Sequence, residues 1–179
     1  SAIDWDQFTL SSPSQLRIRP PLTLRPHQEA AVADVAAGLK ETDRGQLIMA
    51  CGTGKTLTSL RLAEQQVGAG GSVLFLVPSI NLLSQSVKSW ANDATVPLAT
   101  FAVCSDGHAG KRRTDEDMSA NDLSVPASTN TAALLEAIGA RSTDSNMSVV
   151  FSTYQSIDVI TKAQEDGIGQ FDLVICDEA

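Results

Sequence analysis

The chain reads as an α/β fold, a mostly parallel sheet with helices packed on both faces. Three observations predict it. Short apolar runs of strand length alternate five times with amphipathic stretches of helical length. The clearest run, Val73-Leu74-Phe75-Leu76-Val77, is apolar at every position, as a parallel strand covered on both faces should be. The run Leu47-Ile48-Met49 passes directly into Ala50-Cys51-Gly52-Thr53-Gly54-Lys55-Thr56, a glycine-rich turn between strand and helix.

The elements follow in order. Residues 1–23 are irregular, with Pro13, Pro20 and Pro21 as breakers. Leu24-Arg25-Pro26-His27-Gln28 opens a helix with proline in its first turn. Ala30, Ala31, Val35 and Leu39 supply its apolar face, and Gly38 with the polar 41–45 stretch is expected to end it. Gln46–Ala50 reads as the first buried strand. Lys55–Val67 reads as a helix with Leu57, Leu60, Leu62 and Ala63 inward, stopped by Gly68, Gly70 and Gly71. After the 73–77 strand, Ser79 can cap a helix running through Trp90. A strand over 99–104 precedes a polar insertion over 105–127. A short helix over 129–138, a strand over 148–153, a helix over 155–163 and a buried strand over 171–176 complete the chain.

Bulk composition narrows the function classes. The chain has 179 residues, 42% hydrophobic and 4% aromatic, enough for one domain whose core is filled by Ala, Leu and Val. No apolar run nears the ~20 residues of a membrane span, and no signal peptide is visible, so the expected location is cytoplasmic. The net charge of −8 argues against a wholly basic nucleic-acid-binding domain, although a local stripe can be positive on an acidic body. Cys51, Cys104 and Cys176 lack metal-ligand spacing and read as reduced thiols. His27 and His108 are isolated. Lys111-Arg112-Arg113 followed by Asp115-Glu116-Asp117 reads as a solvated loop rather than a nucleic-acid contact.

The heptapeptide carries the chemistry. Gly52 and Gly54 let backbone N–H groups converge where a Cβ would obstruct them. Lys55 supplies a point charge for β/γ-phosphates, and the Thr56 hydroxyl can ligate Mg²⁺. The helix N-terminus adds partial positive charge. Met49 stands where the strict pattern places its first glycine, so the match is to the shorter A-x-x-G-x-G-K-T form. Asp177 and Glu178 follow the last strand, at the carboxyl edge where parallel sheets place ligand chemistry. One carboxylate there can hold Mg²⁺, and its neighbour can orient or deprotonate an attacking water.

Ala50–Thr56 and Asp177-Glu178-Ala179 resemble motifs I and II of superfamily 2 helicases and translocases. Arg25-Pro26-His27-Gln28 resembles the R-x-x-Q motif ahead of the phosphate loop, Phe75-Leu76-Val77-Pro78-Ser79 resembles motif Ia, and Phe151-Ser152-Thr153-Tyr154-Gln155-Ser156 resembles the S-T-Y-x-S segment labelled Ib. Leu47–Thr56 and the segment over 76–85 are most similar to the helicase portion of bacterial restriction enzymes, both the single-chain translocating enzymes and type III Res subunits.

The resemblance implies a three-layer RecA-like domain over residues 24–179, binding ATP and Mg²⁺. It implies that Arg25 and Gln28 contact the nucleotide, Gln28 at the adenine. Cys51, Gly52, Thr53, Gly54, Lys55 and Thr56 would surround the phosphates. Lys55, Asp177 and Glu178 would act in catalysis, with Thr56 and Asp177 holding the metal. Ser79, Thr153 and Tyr154 would meet a nucleic-acid backbone. Double-stranded DNA is the implied track, and a second RecA-like lobe carrying an arginine finger is expected after Ala179. A DEAD-type RNA helicase lobe and a non-helicase P-loop nucleotide-binding protein stand as alternatives, and no nuclease motif is legible in the N-terminal segment.

Overall fold

A computed structural model describes residues 21–104 and 130–178. Residues 1–20 of the expected irregular segment over 1–23, and the insertion over 105–127, lie outside the described residues. The chain divides into two compact units, residues 1–62 with 89–95, and residues 63–88 with 96–179.

The first unit is helical. Helix α1 spans Pro26–Glu41, with Pro26 opening it where no helical turn precedes it to need an N–H. Its buried stripe is Gln28, Val32 and Ala36, spaced by four. The buried face is rotated from the expected one: Ala30 is exposed, while Ala31, Val35 and Leu39 are only partly covered. Gly38 does not end the helix. Thr42 does, its N–H and Oγ1 both donating to the Gly38 carbonyl at 3.0 and 3.1 Å. Helix α2 spans Lys55–Gln66. Its Leu62 packs with Val32 and Ala36, and Leu24 and Val35 lie against them. Arg61 donates to the carbonyls of Leu22 and Asp93 at 3.0 and 2.9 Å, which ties the chain entering α1 to the end of the helix over 80–93.

The expected strand over Gln46–Ala50 is not a strand. Its residues join no ladder among the described residues, and Ile48 is 83% exposed. A strand is defined by a neighbour's N–H and C=O groups as much as by its own apolar pattern, and this run meets none.

The second unit holds an all-parallel, four-stranded sheet in the order β2-β3-β1-β4, with β1 Ser72–Val77, β2 Leu98–Val103, β3 Met147–Thr153 and β4 Leu173–Cys176. Helix α3 (Ile80–Asp93) follows β1, with the Ser79 Oγ accepting from the Leu82 N–H at 3.3 Å. Helix α4 (Thr131–Arg141) follows β2, capped by Asn130, whose side chain accepts from the Ala132 and Ala133 amides. After β3 a 3₁₀ turn over Tyr154–Ser156 leads into α5 (Ile157–Ala163), which runs on as a wider π turn to Ile168. One face of the sheet packs Leu74, Leu76, Phe101, Val103 and Val150 against Leu134 of α4 and Ile160 and Ala163 of α5. Phe75 and Phe151, side by side in the β1–β3 register, pair with ring centroids 5.5 Å apart.

From β1 the chain moves along the sheet in one direction to reach β2, and from β3 it moves in the other to reach β4. That reversal marks the carboxyl edge of β1 and its neighbours as the place where such folds bind ligands. The last strand differs from expectation. β4 pairs with β1 alone among the described residues, its exposure alternates, and Val174 is 50% exposed. It is an edge strand here, not a buried one.

Candidate functional site

The phosphate loop lies in the first unit. Gly52 and Gly54 have φ of 75° and 86°, the left-handed region that an L side chain enters only under strain. A Cβ on Gly54 would also collide with the Gln28 amide nitrogen. The Gly54 carbonyl accepts from the Thr58 N–H at 3.0 Å and from its hydroxyl at 3.1 Å, which starts α2 at Lys55. By helix geometry the amides that follow have no partner inside the helix, so they are available to an anion. Thr53 folds back, its Oγ1 donating to the Ala50 carbonyl at 2.6 Å. Lys55 and Thr56 are half-buried, and Cys51 is an exposed free thiol.

Gln28 supports this loop from beneath. It is 4% exposed, its Oε1 accepts from the Arg25 N–H at 2.8 Å, and its Nε2 donates to the Thr53 carbonyl at 2.9 Å. Both ends of the amide are thus held by protein. The His27 ring nitrogen also meets the Thr53 carbonyl, at 3.3 Å. Arg25 is exposed.

The acidic turn lies in the second unit. The Asp177 N–H donates to the Leu76 carbonyl at 2.9 Å, which carries the β1–β4 ladder one residue past β4. Asp177 is half-buried and Glu178 exposed, with Glu178 at φ 55°. Tyr154 donates its hydroxyl to the Asp177 carbonyl at 3.0 Å. Burial pushes the Tyr154 hydroxyl up to about 12, with the negative charge of Cys176 and Asp177 acting in the same direction.

The remaining expected positions lie along the same carboxyl edge. Ser79 is exposed after β1. Thr153 ends β3 and is buried, its hydroxyl donating to Ser156 Oγ at 3.2 Å. The structure therefore brings Gln28 to the phosphate loop, and Tyr154 to the acidic turn. The Tyr154 bond is a link that the sequence does not reveal, because nothing in a strand-to-helix segment marks where its aromatic ring will reach.

A glycine-bent loop opening a helix and a parallel sheet with an acidic turn at its carboxyl edge define a RecA-like P-loop domain. Residues 21–179 match the family model described as type III restriction enzyme, res subunit, and the chain belongs to that family. It is 42% identical to the ATP-dependent Type ISP restriction-modification enzyme LlaBIII, solved bound to DNA, with a TM-score of 0.84 over 98% of this chain and 11% of that one. It is also 42% identical to a nuclease-deletion mutant of the Type ISP restriction-modification enzyme LlaGI, solved with a DNA substrate mimic. There the TM-score is 0.73 over 88% of this chain and 15% of that one. The chain thus spans a small part of the length of these structural relatives. No curated protein matches it.

Proposed function

We propose that this chain is the first ATP-binding lobe of a motor that couples ATP hydrolysis to movement along double-stranded DNA in an enzyme of restriction type. The observation that carries the reading is the loop itself. Gly52 and Gly54 take left-handed conformations at the head of α2, and the Gln28 amide sits where a Cβ on Gly54 would go. Backbone N–H groups turned by such glycines can cradle phosphate oxygens, which supports the reading. Family membership, and relatives solved with DNA, one of them described as ATP-dependent, extend the reading from nucleotide binding to a DNA motor.

In this reading Lys55 neutralises the β/γ-phosphates, and Gly52 to Thr56 hold them through backbone amides. Thr56 and Asp177 would hold Mg²⁺, which supplies charge neutralisation to the phosphates when bound. Glu178 takes the proton of the attacking water or orients it. Ser79 offers an exposed hydroxyl to the DNA backbone, and Thr153 and Tyr154 belong to the same edge. Arg25 and Gln28 flank the nucleotide on the side of α1. A second lobe, outside these 179 residues, would complete the site with an arginine, so the chain alone would bind nucleotide and turn it over poorly.

The test is ATP hydrolysis by the full-length protein with duplex DNA, single-stranded DNA or RNA. Duplex DNA should stimulate turnover most, and Lys55→Ala and Asp177→Asn should each abolish it. Stimulation by RNA alone would point to an RNA helicase, and turnover retained in Lys55→Ala would refute the loop assignment. In the 179-residue chain, Lys55→Ala should also remove the rise in Tm caused by ADP.

A further inference from the structure

The acidic turn is held by backbone bonds on both sides of Asp177. The Asp177 N–H goes to the Leu76 carbonyl on β1, and the Asp177 carbonyl receives the Tyr154 hydroxyl at 3.0 Å. That carbonyl belongs to the peptide group joining Asp177 to Glu178. Glu178 then sits at φ 55°, which costs a residue with a Cβ about 1–2 kcal/mol. Such a conformation persists only where its surroundings hold it, and the Tyr154 bond is placed on the one peptide group that leads into it.

The sheet order explains why a tyrosine is needed. Tyr154 follows β3, Asp177 follows β4, and β1 lies between those strands. Strands two places apart are separated by about 10 Å, so their backbones cannot meet. A phenolic hydroxyl at the tip of a rigid ring reaches over the end of β1 and closes that gap. A phenylalanine would pack in the same place and leave the carbonyl without this donor. The ring's base is itself fixed. Tyr154 packs against the cluster formed by Leu76, Ile160 and their neighbours. Its carbonyl accepts from the Ile157 N–H, and Thr153 before it is bonded to Ser156.

We propose that Tyr154 is a positioning residue of the nucleotide-hydrolysing site: by holding the Asp177 carbonyl, it aims the Asp177 and Glu178 carboxylates and links them to the segment that follows β3. The inference rests on the motor reading given above. Tyr154 touches no nucleotide in this role and acts through the turn.

The experiment compares full-length wild type with Tyr154→Phe. At saturating ATP and duplex DNA, kcat should fall about three- to tenfold, the equivalent of one lost hydrogen bond. KM for ATP and the DNA concentration giving half-maximal stimulation should stay within about twofold, a split that loss of folding would not produce. Amide hydrogen exchange at Asp177 and Glu178 should quicken in the variant, a readout independent of activity. Unchanged kcat, or unchanged exchange at those amides, would overturn the proposal. So would a raised DNA requirement with kcat intact, which would make Tyr154 a DNA contact. If wild type shows no ATP turnover with any nucleic acid, or Lys55→Ala retains it, the motor reading fails, and the role of Tyr154 falls with it.

Discussion

Gln28 and Thr53 are joined by a 2.9 Å hydrogen bond from a buried side-chain amide to a loop carbonyl, 25 residues apart in the chain. The bond makes α1 a support for the phosphate loop. Gln28→Ala removes the donor and frees the loop at Thr53. One neutral hydrogen bond contributes about 1 kcal/mol, so nucleotide affinity should weaken about fivefold. The loss should fall on ATP and GTP alike in calorimetric titrations of the chain. A loss confined to ATP would show instead that the amide's working partner is the adenine base.

Gly54→Ala should be more damaging than its size suggests. The position combines φ of 86° with a Cβ path that meets the Gln28 amide nitrogen. Backbone strain alone costs about 1–2 kcal/mol, and the displaced glutamine adds the loss of its bond to Thr53. Thermal melting should show a lower Tm, and the stabilisation by ADP should vanish. Gly45→Ala is the control: no heavy atom lies within 4 Å of the added Cβ and its φ is not left-handed, so Tm and the ADP effect should hold.

The parts of the fold that can be read from sequence are those decided locally. The 72–77 strand is apolar over most of its length because both faces are covered, and the loop glycines announce left-handed turns that other residues resist. Where neighbours decide, composition misleads. Leu47-Ile48-Met49 has the composition of a buried strand, yet it meets no ladder partner among the described residues. Gly38 has the character of a stop, but an exposed glycine costs a helix only about 1 kcal/mol, and α1 runs through it. The closing bonds come from Thr42, whose N–H and hydroxyl both reach back to the Gly38 carbonyl. The α1 face turns because Gln28 is buried for its hydrogen bonds, not its hydrophobicity, and a count of apolar residues passes over it. The Tyr154–Asp177 link depends on strand order, which spacing does not encode.

Asp172 should prove a fastener of the edge strand. Its Oδ2 accepts from the Ser72 N–H at 2.8 Å and the Ser72 hydroxyl at 3.0 Å, just before β4 begins. The residue is exposed, so the effect is modest. Asp172→Ala should cost about 1 kcal/mol and lower Tm by about 2–4 °C. Hydrogen exchange should quicken in β4 before it does in β3, and equal acceleration in both strands would contradict a local role.

Alkaline pH should loosen the chain through Tyr154. The hydroxyl's ordinary value is 10.0, and in the fold it is pushed up to about 12, first by burial and then by the charges of Cys176 and Asp177. The folded state therefore holds this proton more tightly than the unfolded state. The stability linked to it is complete below pH 10 and is lost as pH rises through about 12. Tyr154 is the chain's single tyrosine, so tyrosinate absorbance reports it alone. The native midpoint should lie well above the midpoint in denaturant, and Tyr154→Phe should show a shallower fall in Tm over that range. Coincident midpoints in the two states would mean that the hydroxyl is not buried beside Cys176 and Asp177 as the fold places it.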